Sequence, residues 1–241
     1  RISNDNYFCD LYHLGFPIAD EDRTNSDPAV NLETAAAEWL ADQFLLNQEI
    51  QWAADFFITG VWGTSNTPGV NWDDLANSDP ILDVDTGRQT IRRNTGVFPN
   101  TMVVGQKVWD EGLKEHPLLL DKYKHTSPGV LTTDLVARAL GMDRLLVGSA
   151  SQNTAKESAT FVGANIFGNN ALYLFIPPSP GLLTASAGYT FVWDIDGGGL
   201  STQVSRIRED SRDRDLLKAK HAWDQKVVAS ELGYIDLALV S

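Results

Sequence analysis

The sequence predicts an α+β protein, and three stretches carry that prediction. Residues 29–58 (AVNLETAAAEWLADQFLLNQEIQWAADFFI) contain no Gly or Pro and repeat apolar residues at helical spacing. Residues 100–117 (NTMVVGQKVWDEGLKEHP) pass from a short apolar run through a glycine into an amphipathic segment stopped by proline, the pattern of a strand followed by a helix. The tail alternates polarity in TQVSRIRE, crosses the charge-dense DSRDRD and returns, as a β-hairpin would. Helices and strands in this mixed order argue for an α+β chain and against a doubly wound sheet.

The elements follow in order. In residues 1–28 the alternation Phe8, Asp10, Tyr12 predicts an extended arm or hairpin, punctuated by Gly15-Phe16-Pro17 and Asp27-Pro28. So many aromatics imply a surface for the arm to cover. The 29–58 helix would be on the order of 40 Å long. Its stripe runs through Trp39, Leu46, Ile50, Ala53 and Phe57, and Leu40, Phe44, Leu45 and Phe56 widen it, so it needs partners on more than one side. It carries Glu33, Glu38, Asp42, Glu49 and Asp55 but no Lys or Arg, so it lacks the i,i+4 pairs that a solvated helix gains from both signs. Residues 60–69 read as a turn-rich linker. Ser78-Asp79-Pro80 opens a helix that Gly96 closes. Strand Thr101–Gly105 and helix Gln106–Glu115 come next, then the helix LTTDLVARALG, capped by Thr132 or Thr133 and ended by Gly141. RLLVGSA, ALYLFIPP and GYTFVWDID read as strands.

At 241 residues the chain suffices for one large domain or two small ones. Its 43% hydrophobic and 21% charged residues are ordinary for a soluble globular protein. No apolar run nears the ~20 residues that cross a bilayer, so no membrane association is expected. A net charge of −13 argues against a domain built to grip nucleic-acid phosphate, and no sequence-specific nucleic-acid binding is expected. Cys9 is the sole cysteine, which rules out an internal disulfide and a Cys-based zinc site. No Asn-x-Ser/Thr acceptor occurs, which argues against a glycosylated secreted protein. Because the chain begins at Arg1 rather than Met, the expectation is a trimmed or partly observed chain.

Catalytic and metal-binding patterns do not assemble. Asp85-Thr86-Gly87 is the aspartic-protease tripeptide, but that chemistry needs two such turns whose carboxylates share a proton, and the sequence has one. An acidic hydrolase using Asp85 is the remote alternative. Asp194 and Asp196, with the glycines after them, fail the calcium-loop spacing and predict a turn. Gly148-Ser149-Ala150-Ser151 lacks the second glycine of a nucleophile elbow. His13, His116, His125 and His221 are scattered, with no pair at metal-ligand spacing. No cofactor, metal or catalytic residue is expected.

The run Arg206-Ile207-Arg208-Glu209-Asp210-Ser211-Arg212-Asp213-Arg214-Asp215 is the remaining concentration of chemistry, at the tip of the predicted hairpin. A solvated loop with weak pairs is its plain reading. Arginine forks also suit pairing across interfaces, and the acidic arm (Asp20, Glu21, Asp22) and the acidic long helix lack basic partners nearby in sequence. These charges suggest contacts between copies of the chain.

The order of parts resembles the major capsid proteins of tailed bacteriophages, the Hong Kong 97-type fold shared with encapsulin shells. The stretches that carry it are ETAAAEWLADQFLLNQEIQWAADFF, PNTMVVGQKVWDEGLKEHPLLLDKYKH, LTTDLVARALGMDRLLVGSASQNTAKE and HAWDQKVVASELGYI, which span nearly the whole chain. The resemblance implies the second half of an extended loop in 1–28, a peripheral domain with its spine helix in 29–97, an inserted axial domain in 98–196 and returning peripheral strands in 197–241. It implies a self-assembling shell of pentamers and hexamers around double-stranded DNA, with portal, scaffolding and decoration proteins as partners and a virion location after assembly in the host cytoplasm. An encapsulin-type compartment is the alternative on the same fold. It also implies that Phe8, Tyr12 and Phe16 of the arm lie over a neighbouring subunit, while Arg206, Arg208, Glu209, Asp210, Arg212, Asp213, Arg214 and Asp215 meet their mates around three-fold axes. The chain has no lysine before Lys107, so the covalent crosslink that some family members make from this loop is not expected within these residues.

Overall fold

The computed structural model describes residues 6–26, 31–123, 131–181, 184–194 and 202–241. Two compact units emerge, Arg1–Glu49 with Tyr189–Lys226, and Ile50–Gly188 with Val227–Ser241.

In the first unit, β1 (Asp10–Ala19), β8 (Gly188–Val192), β9 (Thr202–Glu209) and β10 (Arg214–Val227) make a four-stranded sheet around β10. β1 and β9 both run antiparallel to β10. Asp215, Leu217 and Ala219 of β10 are buried at the period of two that gives a strand one covered face. That face meets α2 (Leu32–Phe56): Ile18, Ala36, Leu40, Phe44, Leu217, Ala219 and Trp223 form one core. Asn31 starts α2 by accepting hydrogen bonds from the Glu33 and Thr34 amides, at 3.1 and 3.2 Å. Within this unit the helix buries every fourth residue, 36, 40 and 44. Of the stripe expected from the sequence, Leu40 and Phe44 are buried here and Ala53 and Phe57 in the second unit, whereas Trp39 is 43% and Leu45 64% exposed, because a sheet face touches only a narrow strip of a helix.

The aromatic arm finds its partner strand within the chain. Residues 10–19 are extended, as the alternation predicts, and pair along their whole length with β10 of the same chain, and Tyr12 stacks on Trp223 at 4.1 Å. Asp20, Glu21 and Asp22 open a short helix, α1 (Asp20–Asn25), where acidic residues suit the first turn. His125, Asp196 and Asp27-Pro28 lie outside the described residues.

The second unit holds a five-stranded sheet in the order β2 (Thr64–Asn66), β11 (Gly233–Asp236), β7 (Ala171–Leu174), β3 (Thr101–Gly105) and β4 (Arg144–Gly148). β3–β4 and β11–β2 are parallel, while β3–β7 and β11–β7 are antiparallel. Every residue of β3 is buried. Met102 and Val104 enter one core with Trp72, Ile91, Leu113 and Tyr173, while Val103 enters another with Phe57, Trp62, Phe167 and Ile235. Alternation thus feeds two covered faces, which explains the unbroken apolar run.

Local signals place the helices of this unit. Asp79 caps α3 (Pro80–Thr95) by accepting from the Leu82 amide at 3.0 Å, and Gly96 closes it at φ +84°. Gly87 lets the helix approach the sheet: a Cβ there would stand 2.8 Å from the Tyr173 ring. Thr132 caps α5 (Thr133–Ala139), and α4 (Pro117–Tyr123) precedes it. The helix expected over Gln106–Glu115 is mostly a π-helical turn, Val108–Leu113, with the Lys114 amide bonded to the Trp109 carbonyl.

Two further expectations change. The 60–69 linker contains β2, and β5 (Ser151–Asn153) pairs with β6 (Gly163–Asn165) in a small sheet that the sequence did not announce. By strand pairing β8 joins the β10 sheet, β11 joins β7, and the chain from Val227 belongs to the second unit.

Candidate subunit-contact surface

The charged run forms the tip of the β9–β10 hairpin, turning through Asp210–Arg212 with Asp213 in the left-handed region at φ +46°. Arg206 and Arg208, two apart on β9, point to the face that also carries Asp215 of β10. Asp215 is only 1% exposed and accepts from Arg206 at 2.5 Å and Arg23 at 2.7 Å. The Arg23 guanidinium, with Arg206 behind it, holds this carboxyl below the usual carboxylate range. Glu33 receives the same two arginines, at 3.0 Å from Arg23 and 2.9 Å from Arg206. Arg208 grips Asp20 through both terminal nitrogens at 2.6 Å, a bidentate pair that lowers the Asp20 pKa. Arg214 and Glu209 face each other across the strands at 2.6 Å.

The predicted residues therefore separate into two groups. Asp20, Arg206, Arg208, Glu209, Arg214 and Asp215 pair within their own chain, latching α1 and the start of α2 to the hairpin. Glu21, Asp22, Asp210, Arg212 and Asp213 are exposed; Asp210 still accepts from Arg208 Nε at 3.1 Å, while among the described residues Arg212 pairs with no carboxylate. Of the arm's aromatics, Tyr12 is packed on Trp223, Phe16 meets Trp39 edge-on at 5.5 Å, and Phe8 is 78% exposed. Sequence reasoning missed Arg23 and Glu33, which knit the latch together. One signal was available: Arg23 is the only Lys or Arg between Arg1 and Arg88.

The remaining motifs take structural places. Asp85-Thr86-Gly87 is helical, with Asp85 beside Arg88 at 3.4 Å. His116 is fully buried against Ser78 at 3.1 Å, and His221 stacks on Phe44. Among the described residues no group of three His, Cys, Asp or Glu is placed to hold a metal ion, and no helix is long and apolar enough to cross a membrane.

This architecture, with an α2–sheet unit and a second mixed sheet closed by the chain's return, is the Hong Kong 97-like fold of phage capsid and encapsulin shell proteins. In sequence the chain is similar to the major capsid protein of Burkholderia phage BcepMu, 29% identical over 176 residues, which are 70% of this chain and 53% of that protein. The chain thus spans about half the length of this curated relative. In structure it is similar to a phage-related protein of Bordetella bronchiseptica RB50 (TM-score 0.79, 18% identity, covering 99% of this chain and 78% of that one). It is also similar to the encapsulin of the holo-SrpI complex from Synechococcus elongatus PCC 7942 (TM-score 0.60, 8% identity, 98% and 76% coverage). The capsid of Myoviridae phage XM1 has the same fold (TM-score 0.55, 10% identity, 96% and 74% coverage). No model of a known protein family matches the chain.

Proposed function

We propose that this chain is the shell-building part of a tailed-phage major capsid protein, assembling as pentamers and hexamers into an icosahedral head around double-stranded DNA. One observation carries the reading: similarity over 176 residues to a major capsid protein coincides with a shell-protein fold across nearly the entire chain. The role is structural rather than enzymatic, with portal, scaffolding and decoration proteins as partners and the virion as the destination after assembly in the host cytoplasm. Electron microscopy of the intact protein tests it. Closed shells or capsomers are expected, and a stable monomer at micromolar concentration would sink the reading. The encapsulin neighbour favours one second reading, a cellular compartment; shells that hold a tethered enzyme instead of DNA would establish that reading in place of the first.

At −13, the chain confines DNA rather than gripping it, so a filter-binding assay at physiological salt should retain little duplex. Tight retention by this chain would contradict that.

We place the contacts around the three-fold axes on the exposed hairpin tip, Asp210, Arg212 and Asp213, with the exposed acids Glu21 and Asp22 and the aromatic Phe8 at further contacts between copies. Arg206, Arg208 and Arg214 shape this surface through their own-chain pairs. An exposed pair contributes only ~0–1 kcal/mol, but symmetry repeats it at every equivalent contact. Arg212→Ala should therefore weaken or salt-sensitise assembly while leaving the melting temperature unchanged. Arg214→Ala, which also breaks the Glu209 pair, should lower both. Normal assembly of Arg212→Ala at every salt concentration would reduce the tip to a solvated turn.

A further inference from the structure

Helix α2 leaves one stripe uncovered. Glu38, Asp42 and Leu45 stand at i, i+4 and i+7, and all three are exposed, Leu45 at 64%. Glu33 is the only α2 carboxylate with an ion pair among the described residues, so Glu38 and Asp42 are unneutralised. Helix α3 of the other unit carries the reciprocal pattern. Arg88 and Arg92 are also i, i+4, and their guanidinium carbons lie 5.2 and 4.9 Å from the ring centroid of Phe98, itself 42% exposed. Such ring contacts orient guanidinium groups without consuming their hydrogen-bond donors. Arg88 is further fixed at Gly141, where a Cβ would stand 2.6 Å from Nη1. The Arg88 Nε is buried without a hydrogen-bond partner, while Nη1 donates to Asp85 at a long 3.4 Å. Among the described residues Arg92 pairs with no carboxylate.

We propose that the Glu38–Asp42–Leu45 stripe of one copy seats on the Arg88–Phe98–Arg92 cluster of a second copy, with the carboxylates on the guanidinium groups and Leu45 against the Phe98 ring. The proposal rests on the shell reading above and names a contact additional to the hairpin tip. Charge complementarity selects the occupant: two acids and two arginines share the same helical spacing, and each set is flanked by an exposed apolar side chain. Duplex DNA is the other anion such a cluster could meet, but a chain at −13 repels it.

Charge exchange in the intact protein tests the contact. Arg92→Glu and Asp42→Arg each replace attraction with repulsion, and each should raise the concentration needed for assembly roughly 5- to 30-fold. The double variant Arg92→Glu/Asp42→Arg should restore assembly to near the parent level, and added salt from about 0.1 to about 1 M should soften both single defects. Thermal melts by circular dichroism show whether each variant folds like the parent. Single variants that fold and assemble like the parent overturn the contact, as does a double variant no better than the singles. Loss of duplex-DNA retention by Arg92→Glu with assembly intact assigns the cluster to phosphate and overturns it too. A misfolded Arg92→Glu is replaced by Arg92→Gln, read against Asp42→Asn, with a weaker defect of the same sign expected from each. If the parent itself never assembles, the shell reading falls and takes this contact with it.

Discussion

Trp72→Ala should destabilise the second unit by roughly 3–5 kcal/mol, the cost of deleting a fully buried indole from a packed core. Trp72 is 0% exposed and sits among Val84, Leu113, Leu239 and Val240. Its backbone amide donates to the Leu239 carbonyl at 2.6 Å and its indole N–H to Asp83 at 2.9 Å. Truncation therefore opens a cavity and strips the donor from a carboxylate whose pKa burial already raises. Gly112 cannot refill the space, since its backbone already lies against the indole: a Cβ there would stand 3.0 Å from the Trp72 Cβ. In a protein of this size the loss corresponds to a fall in melting temperature of roughly 6–20 °C. A calorimetric shift of less than ~2 °C would mean that the indole is not part of a cooperative core.

The second large effect is a pH dependence centred on Asp236. This carboxyl is fully buried, and burial raises its pKa from 3.8 to about 6 even though Tyr173 donates to it at 2.6 Å and Asn66 at 2.9 Å. A raised acid is protonated more readily in the fold than in the unfolded chain. Its stabilising contribution is complete below 3.8 and lost as pH rises through about 6. The difference amounts to about 3 kcal/mol. His116 works in the opposite sense. Burial lowers its pKa, and its Nδ1 accepts from the Leu118 amide, so a second ring proton has nowhere to go. Its contribution is lost as pH falls below the ordinary histidine range. The parent therefore shows a flattened profile in which the two trends offset. Asp236→Asn removes one of them. The variant should melt higher than the parent near pH ~7, and the advantage should vanish by pH ~4. Parallel profiles for the two proteins would show that Asp236 does not titrate in this window.

What could be read from the sequence was local. Asp79, Gly96, Thr132 and Gly141 mark helix ends because a cap or a left-handed closing residue acts within a few positions. Strand β3 and the β9–β10 hairpin were legible for the same reason. The short strands β2, β5 and β6 were not: β2 pairs Thr64 with Tyr234, and three residues carry no periodicity of their own. Nor could the latch be read, since Arg206 reaches Glu33 and Arg208 reaches Asp20 across most of the chain. That distance reverses one inference. Asp20 and Glu33, which look unpartnered in sequence, find their arginines within the chain, and the candidate contact surface shrinks to the charges left over. Strand pairing likewise assigns β8 and residues 227–241 to units that sequence proximity does not suggest.

Strand β11 has a consequence for the timing of folding. It fills the gap between β2 and β7, yet it is made at residues 233–236, after every other strand among the described residues. A ribosome that has delivered β2, β3, β4 and β7 has delivered a sheet with a slot still open, exposing Leu172 and Tyr173 edges that stay wet until β11 arrives. The unit can close only after the entire β8–β10 excursion has emerged. Closure is then a long-range pairing, slow by its topology and vulnerable to neighbouring nascent chains that could offer a strand first. The step that commits the unit thus waits for β11, and ribosome-bound chains halted before 233 should be protease-sensitive throughout the second unit.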